Sequence, residues 1–152
     1  MIEPAFKIKV YNRFLQTVLD KVSMLQQELL DLKESSSNET KSTAGDKHET
    51  ALAMLQLDQE KTSRQLQDAL VQKALFEQID PAISTQGITN GSLVKTNKGY
   101  LFLSVAIGKI IIDGKTVIAL SPGSPMGKAL MGLRRNDTAS INGNLYQIED
   151  IC

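Results

Sequence analysis

A heptad seam constrains this chain more than any other feature. Leu15, Val18, Val22, Leu25, Leu29 and Leu32 follow one another at spacings that alternate three and four. This is the pattern of an α-helix with one apolar stripe turned toward a partner helix. Pro4 suits the first turn of that helix. The run Glu34-Ser35-Ser36-Ser37-Asn38 is expected to break it. A second, weaker seam reads Leu52, Leu55, Gln59, Thr62, Leu66 and Ala69, with Phe76 further on. Paired antiparallel, the two seams match at residue numbers adding to 84: Leu32 with Leu52, Leu29 with Leu55, Leu25 with Gln59, Val22 with Thr62, Val18 with Leu66, Leu15 with Ala69, and Ile8 with Phe76. The expected hairpin centres on Ser42, with helices of roughly 40 Å each at ~1.5 Å per residue.

After Asp80-Pro81 the composition changes. Gly, Ile, Val and Thr replace Leu, Gln, Lys and Glu. The expected division is a coiled-coil hairpin over 1–80, with an acidic tip loop near 35–50, and a β-rich domain over 81–152. Short strands are expected at Ser92–Thr96, Tyr100–Ile107, Ile110–Ile112, Thr116–Leu120, Ala139–Ile141 and Leu145–Ile148. Asn97-Lys98-Gly99, Asp113-Gly114 and Asn142-Gly143 are the turns between them. Asp-Gly and Asn-Gly between apolar runs are strong hairpin signals. One helix, Met126–Met131, is expected among the strands. Ser124 would cap it, Pro125 would start it and Gly132 would end it. The fold class is therefore α+β: an antiparallel helical hairpin, then a small antiparallel β domain carrying one short helix.

Composition excludes several functions. The 17 Lys and Arg balance the 17 Asp and Glu, so there is no basic excess for free duplex nucleic acid. The first residues lack the apolar run of a signal peptide, and no stretch reaches the ~18 apolar residues of a membrane span. The single cysteine, Cys152, forms no disulfide framework. A cytoplasmic protein is expected. The stretch Gly123-Ser124-Pro125-Met126-Gly127-Lys128-Ala129 fails the phosphate-loop pattern. Three residues separate its glycines instead of four, and Ala129 stands where a Ser or Thr is needed. It reads as a turn and helix cap. No Ser-His-Asp or Cys-His set is visible.

The candidate site is Gly45-Asp46-Lys47-His48-Glu49-Thr50, just past the hairpin centre. Asp46 and Glu49 have the spacing of a capping box at the start of the second helix. They also lie on one face, with Cβ atoms ~5–6 Å apart. Two carboxylates can complete the shell of a magnesium ion but not fill it, since the ion takes six ligands. The protein alone is therefore expected to hold no metal tightly. His48, Glu39, Lys41 and Lys47 read as solvated loop residues.

Four blocks resemble the Gre-type transcript cleavage factors. Ser121-Pro122-Gly123-Ser124-Pro125-Met126-Gly127-Lys128-Ala129-Leu130-Met131-Gly132 resembles that family's "SP-x-GxALLG" stretch. Asn136-Asp137-Thr138 with Leu145 to Ile151 resembles its "GDxVxV…YxIxxI" ending. Gly91-Ser92-Leu93-Val94 resembles its "GSxV" strand, and Gly45-Asp46, Glu49 and Ala51 resemble its tip motif "GDLxENAEY". The resemblance implies an FKBP-like second domain and binding to bacterial RNA polymerase at its secondary channel. It implies that Asp46 and Glu49 help hold a second Mg2+, shared with the polymerase active site, for cleavage of backtracked RNA. The factor would not itself be an enzyme, and would meet RNA and DNA only through the polymerase. Thr50, Leu52 and Ala53 depart from the tip motif, as do Lys47 and His48. The alternative is therefore a channel-binding regulator without cleavage activity. Two further classes are a prolyl isomerase, for which Tyr100, Phe102 and Tyr146 make a poor aromatic pocket, and a free-standing metal hydrolase.

Overall fold

A computed structural model describes residues 1–40 and 46–152, and the side chains of these apart from 39, 40 and 46–48. The elements run α1 (Pro4–Thr40), α2 (Asp46–Glu77), β1 (Leu93–Thr96), β2 (Gly99–Leu103), β3 (Gly108–Ile112), β4 (Lys115–Leu120), α3 (Pro125–Leu130), β5 (Thr138–Ile141) and β6 (Asn144–Ile151). The class is α+β, with the helices first and the strands after, as the two sequence periods dictate. The compact units divide elsewhere than the change of composition. One comprises Met1–Thr17 with Ala74–Cys152, the other Val18–Lys73.

In the first unit the strands form one six-stranded sheet in the order β3-β4-β2-β1-β6-β5. The expected sheet was wholly antiparallel, but β2 and β4 run parallel, with Tyr100 beside Val117 and Leu103 beside Leu120. The reason is local. The strand expected to continue to Ile107 stops at Leu103, and the chain bends before β3 starts at Gly108, whose φ of 120° suits only glycine. β3 then forms the outer strand of a hairpin through Asp113 and Gly114, both at positive φ, and β4 returns between β3 and β2. Turn residues fix which strands form a hairpin. They do not say which of the two lies inside the sheet.

Both faces of this sheet are covered. Phe6, Val10 and Phe14 are spaced four apart, so they share one face of α1. They pack with Phe76, Ile79, Leu93, Phe102, Val117 and Ala119. Phe14, Phe76 and Phe102 are fully buried. Each such ring contributes roughly 1.5–3 kcal/mol relative to an exposed one. Tyr11 stacks on Phe76 at 4.8 Å, while Ile8, the expected partner of Phe76, is 41% exposed. On the other face Ile88, Val94, Leu101, Leu103, Leu120, Leu130, Ala139 and Ile148 cluster. Leu130 comes from α3, which ends one residue short of the expected Met131.

The second unit is held by the seam. Val18, Val22, Leu25, Thr62 and Ala69 are buried, as the heptads require. The register differs from expectation. Val22 and Leu25 pack with Leu66, Ala69 and Leu70, and Gln59 Nε2 donates to the Leu32 carbonyl at 3.2 Å. Facing residue numbers therefore add to about 91 rather than 84, a shift of one heptad. A slip of seven residues returns every seam position to the seam, so apolar periodicity cannot forbid it. The polar groups decide it. In the observed register Gln59 reaches a carbonyl, whereas the other would press it against Leu25. Nor does the serine run break α1, which continues to Thr40 with Ser36 half-buried. Serine costs a helix only about half a kcal/mol relative to alanine.

Candidate functional site

The two acids singled out by spacing lie at the start of α2. Asp46 is its first residue and Glu49 is on its first turn, exposed to solvent. The Asp46 side chain lies outside the described residues, as do those of Lys47, His48 and Glu39, and so does Lys41. The proposed capping box and the Asp46–Glu49 carboxylate separation fall outside them too. Among the described residues no group of three or more His, Cys, Asp or Glu is arranged to hold a metal ion. Glu49 presents its side chain to solvent on the first turn of α2.

The Ser121–Gly132 stretch is a cap and turn. Ser124 Oγ accepts from the Gly127 amide at 3.0 Å, and Pro125 occupies the first turn of α3. Ser124 Oγ also donates to the Ser121 carbonyl at 2.7 Å. Gly127 is required sterically, because a Cβ there would lie 2.1 Å from the Ser121 carbonyl oxygen. Gly132 takes a φ of 84° and ends the helix. The motif is thus accounted for by local structure.

The three aromatic residues considered for a proline pocket do not converge. Phe102 is buried on the sheet face that carries Phe14 and Phe76, and Tyr100 packs edge-on to Phe6 on that face. Tyr146 pairs with Ala139, which belongs to the cluster on the opposite face.

One polar centre was missed by the sequence reading. Asp150 on β6 is 5% exposed. It accepts hydrogen bonds from the Arg135 guanidinium and from the Ile2 amide. Burial pushes the Asp150 carboxyl up, but the Arg135 hydrogen bond, those from the Ile2 and Ile151 amides, and the Arg135 charge outweigh it and hold the group below its ordinary value. Simple alternation would put Asp150 on the face of Ile148, but a register shift between Lys95 and Thr96 places it opposite Lys95, on the side of Leu93 and Cys152, which strand periodicity does not reveal. Lys7 is a second buried charge. Its Nζ donates to the Ile83 carbonyl at 2.6 Å, and burial pushes its pKa down against the opposing influence of Cys152 and Asp80.

No protein-family model matches the chain, and no curated protein matches it. The solved structure described as "Structure of the transcription factor Gfh1" is similar to it at 19% identity. The match covers 93% of this chain and 92% of that one, with a TM-score of 0.31. No described helix is long and apolar enough to cross a membrane.

Proposed function

We propose that this chain is a Gre-type factor that binds bacterial RNA polymerase at its secondary channel. There Asp46 and Glu49 support a second Mg2+ for cleavage of backtracked RNA. The observation that carries the reading is the placement of the acid pair. Asp46 and Glu49 open the second of two long helices paired along a heptad seam, and the facing numbers of that seam have their midpoint beside Asp46. The four-block resemblance supplies the partner and the chemistry. Two acids cannot make a metal site alone, so the polymerase must bring the ion and its remaining ligands. Asp46 and Glu49 would help hold that second ion, which would supply activation of the attacking water.

The second reading, a channel-bound regulator without cleavage activity, rests on Thr50, Leu52 and Ala53 standing where the tip motif has other residues. RNA cleavage in stalled elongation complexes separates the two. The first reading expects RNA shortening with the protein and its loss with Asp46→Asn, Glu49→Gln. Equal shortening with both proteins would overturn the role of the acids. Binding to polymerase without shortening would favour the regulator.

A further inference from the structure

A cleft of about 440 Å3 opens beside the Arg135–Asp150 pair, lined by Ser84, Thr85, Gln86, Arg134, Arg135, Asp150 and Ile151. Its walls are joined to each other. Gly87 bridges to Arg134, the Ile88 amide donates to the Leu133 carbonyl at 2.8 Å, and the Gly132 amide donates to the Ile88 carbonyl at 2.8 Å. Thr85 Oγ1 donates to the Gly87 carbonyl at 2.7 Å. The cleft is therefore formed before any ligand arrives.

Its charge is uneven. Asp150 is withdrawn, its side chain 7% exposed, and both its oxygens are engaged, one by Arg135 and one by the Ile2 amide. Arg135 is 52% exposed and keeps further N–H groups beyond the one given to Asp150. Arg134 has no acid within ion-pair distance among the described residues, and the side chains of Ser84 and Gln86 have no hydrogen-bond partner among them. One guanidinium is thus balanced and the other is not, in a pocket rich in unused donors.

We propose that this cleft binds the phosphate group of a small phosphomonoester. The planar fork of Arg134 matches two phosphate oxygens, and Ser84, Gln86 and the free N–H groups of Arg135 complete the set. The size suits a small ligand. A nucleic acid backbone would need a basic track extending well beyond two arginines, in a chain of zero net charge. The proposal stands independently of polymerase binding.

The test is an amide NMR titration of the full chain at low ionic strength, using inorganic phosphate, a nucleoside 5′-monophosphate and, as control, sodium chloride. Saturable shifts confined to Ser84, Thr85, Gln86, Arg134 and Arg135 are expected with both phosphates. Arg134→Ala should weaken binding about tenfold or more, and Arg134→Lys should restore part of it. The guanidinium is exposed, so both variants should melt like the parent. No saturable shift at millimolar phosphate, or the same shifts with chloride, would overturn the proposal. Tighter binding of a short RNA to the same residues would also overturn it, by reassigning the cleft to a polymer.

Discussion

Replacing Asp150 by Asn should destabilise the first unit by about 2–3 kcal/mol at neutral pH, and the loss should vanish in acid. Removing one partner of a fully buried ion pair costs about 3–5 kcal/mol, because the other charge is stranded. Here Arg135 is 52% exposed and can turn to water, which lowers the figure. The Ile2 amide keeps an acceptor in the Asn oxygen. The sign of the pH dependence follows from the Asp150 carboxyl, whose pKa is held down in the folded chain. A depressed folded value means the unfolded state binds the proton more readily. The contribution is therefore complete above the unfolded carboxylate value of about 3.9 and is lost as pH falls through the folded value. All three tyrosines, Tyr11, Tyr100 and Tyr146, belong to the first unit, and the chain has no tryptophan. Tyrosine near-ultraviolet dichroism during urea unfolding therefore reports that unit alone. Urea melts of the parent, Asp150→Asn, Arg135→Met and the double variant at neutral pH give the coupling directly. A coupling below about 0.5 kcal/mol at neutral pH, or a loss that persists unchanged in acid, would refute the reasoning.

Three further outcomes follow from the geometry. Gly127→Ala should destabilise by about 2–4 kcal/mol by urea melts, because its Cβ would meet the Ser121 carbonyl oxygen and the Pro122 backbone; a change within about 0.5 kcal/mol would contradict the close approach. Ser124→Ala should cost about 1 kcal/mol through loss of the bond to the Gly127 amide, measured in the same way. In a Cys152→Ser background, Val22→Cys with Ala69→Cys should oxidise to an intramolecular disulfide more readily than Val22→Cys with Thr62→Cys, read by non-reducing gel mobility. The reverse order would restore the register that adds to 84.

The parts of the fold that rest on local periodicity were legible in the sequence. The seam residues Val18, Val22 and Leu25, the Asp113-Gly114 and Asn142-Gly143 turns and the Ser124 cap all stand where spacing put them. What depended on pairing between distant residues was not. The heptad slip is invisible to a repeat of seven, and the packing of Val22 and Leu25 with Leu66, Ala69 and Leu70, together with the Gln59 bond to Leu32, distinguishes the two registers. The insertion of β4 between β2 and β3 depends on the bend before Gly108, not on turn chemistry. The Arg135–Asp150 pair joins residues brought together by strand register, and the register shift in the β1–β6 pairing hides from periodicity which face Asp150 takes. The start of α2 at Asp46 was legible because a helix start has a local grammar of its own.

The most direct test of the central claim is the Mg2+ dependence of RNA cleavage in a stalled polymerase complex. With the protein present, half-maximal cleavage should occur at a lower Mg2+ concentration than with polymerase alone. Asp46→Asn or Glu49→Gln should return it toward the unassisted value while polymerase binding is unchanged. If the protein binds polymerase and leaves the Mg2+ dependence where it was, the acids do not serve the second ion.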